Sequence, residues 1–375
     1  MKIAINYFSA ANKGGIGVYS RCLVKALLEL DKQNEYHLLC RKGEDHRPVE
    51  RYPNVRLHRL SGRRVWFEQV RAPLRLRGIA PDVYFSPDFT LPVISPWPAV
   101  VTVHDLSFVR FPKSISRKAR LLYRTLTPRA VRKAARVVSV SEFTRDELSH
   151  EGWGAPENYR VIWSGLRAEF HEIIKDRDFS KTLQKYNLFD EYLLFVGLLE
   201  GRKNLGGVLE AYRIVFETMK TNGDDPPHLI LAGGQGHDFD DIWEAMKALD
   251  MEDWVHYLEY PPDKDLRGLY HGATMFLYPS FYEGFGFPPL EAMAQGTPVV
   301  TSNVGAMKEI HASHALAVNP KNPQAIADAA LEILEHPERR AELSQQGVEY
   351  ARRFTWSAAA KKYLELFKEV AGQNG

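Results

Sequence analysis

The 375-residue chain has only two cysteines, Cys22 and Cys40. That is too few for a disulfide framework, and both fall in apolar contexts, so a reducing compartment is expected. No apolar run approaches the roughly 18–20 residues that span a bilayer. The opening MKIAINYF lacks the long apolar core and cleavage site of a signal peptide. These absences predict a soluble, cytoplasmic protein, at most peripheral at the inner face of the plasma membrane. No His/Cys set has zinc spacing, and neither a solenoid repeat nor a low-complexity segment is present. Acidic side chains are missing from Leu106 to Val140, a span that includes FVRFPKSISRKARLLYRTLTPRAVRKAARVV. Such a stretch suits an anionic partner (phosphate, lipid headgroup or nucleic acid) or a solvated helix face.

What is present is ordinary for a globular protein: 45% of residues are hydrophobic. The length suggests two domains. A net charge of +2 hides an asymmetry, with 30 Lys+Arg against 17 Asp+Glu in the first 175 residues and 19 against 30 in the rest. Short apolar runs alternate with helical patterns. KIAINYF, EYHLLC, VRLHRL, DVYFSP, AVVTVHD, RVVSVS and VIWSG read as strands of a first half, with VYSRCLVKALLEL as its opening helix. YLLFVGLL, HLILAGG, VHYLEY, TMFLYPS and PVVTSN read as strands of a second. Continuous apolar strands between helices predict parallel sheets covered on both faces. The expected fold is α/β, with two doubly wound Rossmann-like domains. The boundaries expected are 1–170 and 171–356, with a polar linker near 166–190 and exposed helices over 323–353. Residues 357–375 form an amphipathic closing helix. Ligands of such sheets bind at the carboxyl ends of strands, so the expected site is the cleft between the domains.

The densest motif is YPSFYEGFGFPPLEAMAQGTPVV, residues 278–300. Glu283 follows a strand by a few residues. Gly284 and Gly286 permit close backbone approach, and Pro288-Pro289 favours a helix start. Glu291 is expected in the first turn of that helix, and Gly296 ends it. Both carboxylates are expected to face one cavity, where they can accept hydrogen bonds from sugar or ribose diols. In GLLEGRKNL, residues 197–205, Gly197 ends a strand and Arg202-Lys203 precedes a helix. Two cations there can hold a diphosphate and neutralise charge on a departing nucleotide. NKGGIGVY places Gly14, Gly15 and Gly17 at a strand-to-helix bend without Walker or dinucleotide spacing. His104 ends the strand of VTVHDLSF, with Asp105 beside it. Ser141 in SVSEFTRDEL is a helix cap. LAGGQG offers Gly233, Gly234 and Gly236 for close approach of a nucleotide. Asp238-Phe-Asp240 has metal-binding D-x-D spacing but reads as an acidic helix start.

Taken in order, GGIGVY, VHDLSF, RVVSVSEFTRDEL, VGLLEGRKNL, LAGGQG and E-G-F-G-F-P-P-L-E-A-M-A resemble the motif set of retaining GT-B glycosyltransferases of family 4, across nearly the whole chain. The resemblance implies that Glu283 contacts the transferred sugar and Glu291 the nucleotide ribose. It implies that Arg202 and Lys203 hold the diphosphate and that His104 touches the sugar near C6. Gly15, Gly17, Gly197, Gly234, Phe285, Gly286 and Phe287 then shape the donor site. It further implies closure of the two domains on the donor, a closing helix that crosses back to the first domain, and no metal cofactor. The expected reaction transfers a hexose from a nucleoside diphosphate sugar, first GDP-mannose and next UDP-sugars, to a hydroxyl of a saccharide or lipid-linked saccharide in surface polysaccharide synthesis. The basic segment 110–136 then meets an anionic membrane, and no nucleic acid is bound. One departure stands out: where the family often has N-G-V-D at the end of the first domain, this chain has Ser164-Gly165-Leu166-Arg167. A GT-B nucleotide-sugar epimerase, and a membrane- or nucleic-acid-binding protein with a basic surface, are the alternative readings.

Overall fold

The β-branched and aromatic runs form strands because each must be buried on both faces. In the computed structural model, which describes residues 1–189, 191–236, 239–247, 251 and 253–372, they build two parallel sheets. The first domain comprises Met1–Arg110, Arg117–Gly165 and the chain from Phe354 on. Its strands are β1 (Lys2–Asn6), β2 (Glu35–Arg41), β3 (Val55–Leu60), β4 (Val83–Ser86), β5 (Ala99–Val103), β6 (Arg136–Ser139) and β7 (Tyr159–Val161). Their order is β3-β2-β1-β4-β5-β6-β7. Every residue of β4 and β5 is buried, as a central strand between helical layers requires.

The second domain comprises Leu166–Arg353 together with Phe111–Ser116. It holds β8 (Tyr192–Val196), β9 (His228–Gly233), β10 (Val255–Glu259), β11 (Met275–Tyr278), β12 (Val299–Ser302) and β13 (Leu316–Val318), in the order β10-β9-β8-β11-β12-β13. Both sheets therefore reverse direction at one point, between β1 and β4 and between β8 and β11. The carboxyl ends of strands at that reversal are where doubly wound sheets bind ligands.

The closing helix, Trp356–Gly372, completes the first domain. Its Tyr363 hydroxyl lies 2.5 Å from that of Tyr19 and 2.8 Å from Thr102 Oγ1. Glu369 pairs with Arg136 and Arg160 on the adjoining strands.

Several expectations are corrected. The domains divide at Gly165/Leu166 rather than 170/171, because Leu166, Arg167 and Phe170 are buried in the second domain. The chain returns at Phe354 rather than 357, where the Phe354 ring stacks on Trp163. The expected linker contains a helix, Asp176–Tyr186. It packs closely enough that Gly268 faces Thr182 and Gly272 faces Phe179 with no room for a side chain. The helices Pro323–Glu335 and Pro337–Ala351 are not simply exposed, since Ile326, Ala330, Ile333 and Leu343 lie in the core. β13 has only three residues and was not anticipated.

Candidate active site

The strongest cluster sits at the reversal point of the second sheet. Beyond β8 the chain takes a positive φ at Gly197, +154°. It then makes a short 3-10 turn, Gly201–Lys203, and enters the helix Leu205–Asn222 through Asn204 in the left-handed region. The Asn204 amide donates to the carbonyls of Pro279 (3.0 Å) and Pro320 (2.6 Å). These bonds tie the turn to the chain leaving β11 and to that leaving β13. The Phe281 amide donates to the Arg202 carbonyl from the other side, 3.0 Å.

Glu283 closes this cluster. Its Oε1 accepts from Lys203 Nζ at 2.6 Å and from the Tyr278 hydroxyl at 2.9 Å, and its Oε2 lies 3.1 Å from Arg202 Nη1. Arg202 also donates to Glu200 (2.6 Å) and to the Tyr282 carbonyl (2.6 Å). All four charged side chains are nearly buried, two cations matched by two carboxylates. Burial pushes the Glu283 carboxyl up, but Arg202 and Lys203 more than offset this and hold its pKa at about 2. It is an ionised acceptor at any physiological pH and cannot serve as a proton donor.

The loop after Glu283 is clamped from behind. Gly286 has φ +87°, and the space a side chain would need is filled by Met307 and His311. His311 is fully buried and donates through Nε2 to the Phe285 carbonyl, 3.0 Å. Burial lowers its pKa to about 4, so the ring is neutral. Phe285 is buried and its ring lies 5.3 Å from that of Phe287, the first residue of the helix Phe287–Ala294.

Glu291 lies in the second turn of that helix, not the first, and has different company. Arg167 Nε donates to its Oε1 at 2.9 Å and the Tyr270 hydroxyl to its Oε2 at 3.2 Å. Burial raises its pKa against the opposing pull of Arg167. The two glutamates share no hydrogen-bond partner among the described residues. Each carboxylate has its own arginine and tyrosine, Arg202 and Tyr278 for Glu283 and Arg167 and Tyr270 for Glu291.

The glycines of LAGGQG do not lie open. Leu199 N donates to Gly234 O (2.8 Å) and Gly236 N to Leu199 O (3.1 Å). They let the loops after β8 and β9 zip together, and the Tyr260 ring covers Gly234. Asp238 lies outside the described residues, and Asp240 begins within the helix Phe239–Lys247.

In the first domain Gly14 caps the helix Gly15–Leu30, and Gly17 packs against the Asn12 backbone, where no side chain fits. His104 donates through Nε2 to the Pro87 carbonyl, 2.8 Å, which leaves Nδ1 as an acceptor. Burial lowers its pKa, so the neutral form dominates. Asp105 does not orient it; its carboxylate accepts instead from the Ser107 amide, 2.8 Å. Ser141 caps its helix through Thr144 N as expected.

Comparison with known proteins agrees with this geometry. The model of the family described as Glycosyl transferases group 1 matches residues 176–350, and that of Glycosyltransferase Family 4 matches 13–170. The O-antigen chain mannosyltransferase B of Escherichia coli is 33% identical over 296 residues, covering 78% of this chain and 76% of that protein. The chain belongs to the GT-B glycosyltransferases of family 4. Another relative, the O-antigen chain mannosyltransferase RfbU of Salmonella typhimurium, is 27% identical over 238 residues, covering 64% of this chain and 61% of that one. Among solved structures, sucrose-phosphate synthase from Thermosynechococcus elongatus covers the whole of both chains with a TM-score of 0.78 at 20% identity. The Anabaena HepE complex with UDP-glucose gives 0.77 at 18%, covering 98% of this chain and 100% of that one. These two confirm the fold.

Within this glycosyltransferase, sequence reasoning missed Glu200, Tyr278, Tyr270, His311 and the role of Arg167. It also missed a buried network in the first domain. There Asp88 pairs with Arg64 (2.9 Å) and accepts from Ser9, while Glu68 accepts from Thr90 (2.8 Å). For Glu200 and Tyr278 a signal existed: both stand within motifs already singled out.

Proposed function

We propose that this glycosyltransferase moves a hexose, with retention at the anomeric carbon, from a nucleoside diphosphate sugar to a hydroxyl of a saccharide or lipid-linked saccharide in bacterial surface polysaccharide assembly. GDP-mannose is the donor favoured, supported by the named activities of the mannosyltransferase relatives; a UDP-sugar is the alternative. The observation that carries the reading is the buried Glu200–Arg202–Glu283–Lys203 quartet at the reversal point of the second sheet.

The chemistry follows from the charges. Arg202 and Lys203 are preorganised by carboxylates, so they stand ready for a diphosphate without rearranging when its charge grows. Glu283, always ionised, accepts hydroxyls of the transferred sugar, and His104 contributes an Nδ1 acceptor toward its C6 side. Glu291 receives the ribose diol. In the transfer the acceptor oxygen bonds to the anomeric carbon on the face the leaving group departs from. The bond from that carbon to the diphosphate oxygen breaks, and the freed phosphate oxygen takes the acceptor proton. No protein nucleophile is required, and Arg202 and Lys203 supply hydrogen-bond donors to the diphosphate in a reading that needs no divalent metal.

The lipid-linked acceptor is favoured by the helix Arg117–Lys133. Arg117, Lys118, Leu121, Arg124, Arg129 and Arg132 are all exposed on its outer side. The exposed Val93 and Ile94 lie at its end, where Lys133 Nζ donates to the Val93 carbonyl, 2.6 Å. The ends of the basic segment are otherwise engaged, Arg110 with Glu147 and Glu151 and Arg136 with Glu369. No described helix is long and apolar enough to cross a membrane, so contact is peripheral.

Thermal melting with GDP, UDP, ADP and CMP, with and without Mg²⁺, tests the donor reading, since a ligand of the folded state raises the midpoint. A GDP-selective, Mg²⁺-independent shift is expected. A UDP-only shift overturns the donor, and no shift overturns the transferase site. Sedimentation with phosphatidylglycerol vesicles tests the membrane surface. Arg124→Glu with Arg129→Glu is expected to abolish salt-sensitive binding and leave donor hydrolysis unchanged.

A further inference from the structure

The departure at the end of the first domain, Ser164-Gly165-Leu166-Arg167, acquires a purpose in the fold. Arg167 is 6% exposed although it follows the last strand of the first sheet by only a few residues. Its guanidinium is fixed on three sides. Nε donates to Glu291, Nη1 lies 3.0 Å from Asp263 and 3.8 Å from Glu169, and the group sits 4.5 Å over the Phe170 ring. A carboxylate has about four lone-pair sites. Arg167 occupies one on Oε1 of Glu291 and Tyr270 one on Oε2. Each oxygen thus has acceptor capacity beyond that one partner, and a vicinal diol brings two donors to use it.

We infer that Arg167 is a positioning residue: it orients the Glu291 carboxylate and keeps it charged for the ribose diol, and so sets nucleotide affinity rather than the transfer step. This rests on the assignment of Glu291 to the ribose. Burial alone opposes a charged Glu291, and the groups facing it are Arg167 from the segment after Gly165, and Tyr270 and Asp263 from the helix Asp263–Gly272. Arg167 is the one cation among them. Without it the carboxyl takes up a proton more readily, loses an acceptor site and binds the diol poorly, most of all at low pH.

The test measures binding of the ribonucleoside diphosphate that the wild type prefers, and of its 2′,3′-dideoxy counterpart, by calorimetry from pH 6 to 8.5. The wild type is expected to favour the ribonucleotide by about tenfold or more at every pH. In Arg167→Met that preference collapses at pH 6 and partly returns by pH 8.5, while turnover at saturating donor stays within about threefold. Arg167→Lys keeps the charge and loses only part of the preference. The double variant Arg167→Met/Glu291→Gln removes both buried charges, guards against misfolding, and should bind weakly at all pH values. A loss in Arg167→Met that is the same for both nucleotides, or flat with pH, means a merely structural arginine and overturns the inference. If Glu291→Gln keeps the full ribose preference, the ribose assignment itself falls. If Glu291→Gln loses it and Arg167→Met does not, only the role of Arg167 falls.

Discussion

Each domain buries a polar cluster against its parallel sheet, and the two clusters are built on opposite chemical plans. In the first domain Arg75 Nε donates to His58 Nδ1 (2.7 Å), and His58 Nε2 meets His37 Nδ1 (2.9 Å). The two rings are nearly parallel, and His37 Nε2 faces Glu35 at 3.4 Å. Burial, with Arg75 next in effect, lowers His58 to about 4, so the pair is neutral. This chain of bonds runs at the side of β2 and β3. In the second domain the cluster lies beyond the carboxyl ends of β8 and β11, and Arg202 and Lys203 hold the Glu283 carboxyl ionised. Burying an ion pair costs desolvation that apolar packing would avoid. The second domain bears that cost where a doubly wound sheet meets its ligand, and the first bears it at its buried Arg64–Asp88 pair, whereas the His37–His58 cluster avoids it. Retained charge together with a place at the carboxyl ends of the strands therefore separates the Glu283 cluster from the His37–His58 pair.

Three experiments can break that comparison. The largest effect is expected from Glu283→Gln, which removes a carboxylate shared by two buried cations. Turnover should fall by roughly 10²–10³-fold, the scale of losing a preorganised charge contact. Stability should fall by about 3–5 kcal/mol, because buried Lys203 loses its carboxylate partner while Arg202 keeps only Glu200. Equal activity in Glu283→Gln, measured as product formed per enzyme, contradicts the site. His58→Leu, by contrast, should leave turnover within about twofold, and a large kinetic defect there would show that the first cluster is functional too.

The second experiment separates the clusters by pH. A histidine whose folded pKa lies below its unfolded value contributes full stability above about 6.5 and loses it as pH falls toward 4. Glu283, depressed to about 2, contributes above its ordinary value of 4.5 and loses this as pH falls toward 2. Calorimetric melting should thus weaken in two steps, the upper one reduced in His58→Leu and the lower one in Glu283→Gln. A single step shared by both variants would refute the separation. The smallest effect is expected at Gly234→Ala, where the Tyr260 ring must shift; donor affinity should fall only a few-fold, as read by nucleotide titration.

How much of this could be read in advance depends on range. The strands were legible because β-branched and aromatic runs such as AVVTV and YLLFV have one stable fate. The E-G-F-G-F loop and the Arg202-Lys203 turn were legible because their residue types are unusual together. The helix Asp176–Tyr186 was not, since its sequence is polar and only Thr182 is fully buried. Three-residue β13 offers too little pattern to read. Arg167 and Glu291 are 124 positions apart, and no local spacing relates them. The separation of Glu283 from Glu291 into two clusters likewise depends on which helix packs behind each, and that is a tertiary fact.

The bond between the Tyr363 hydroxyl and Thr102 has a consequence for how the protein is made. The first domain is begun first by the ribosome but finished only after the whole second domain has been synthesised, because the helix Trp356–Gly372 supplies Tyr363, Leu366 and Phe367 to its core. The second domain can therefore mature while its predecessor waits with an apolar groove uncovered. Translation that stalls between Phe354 and Tyr363 would leave a sound second domain attached to an unfinished first one. That gives chaperones and proteases a long window in which to recognise the incomplete chain.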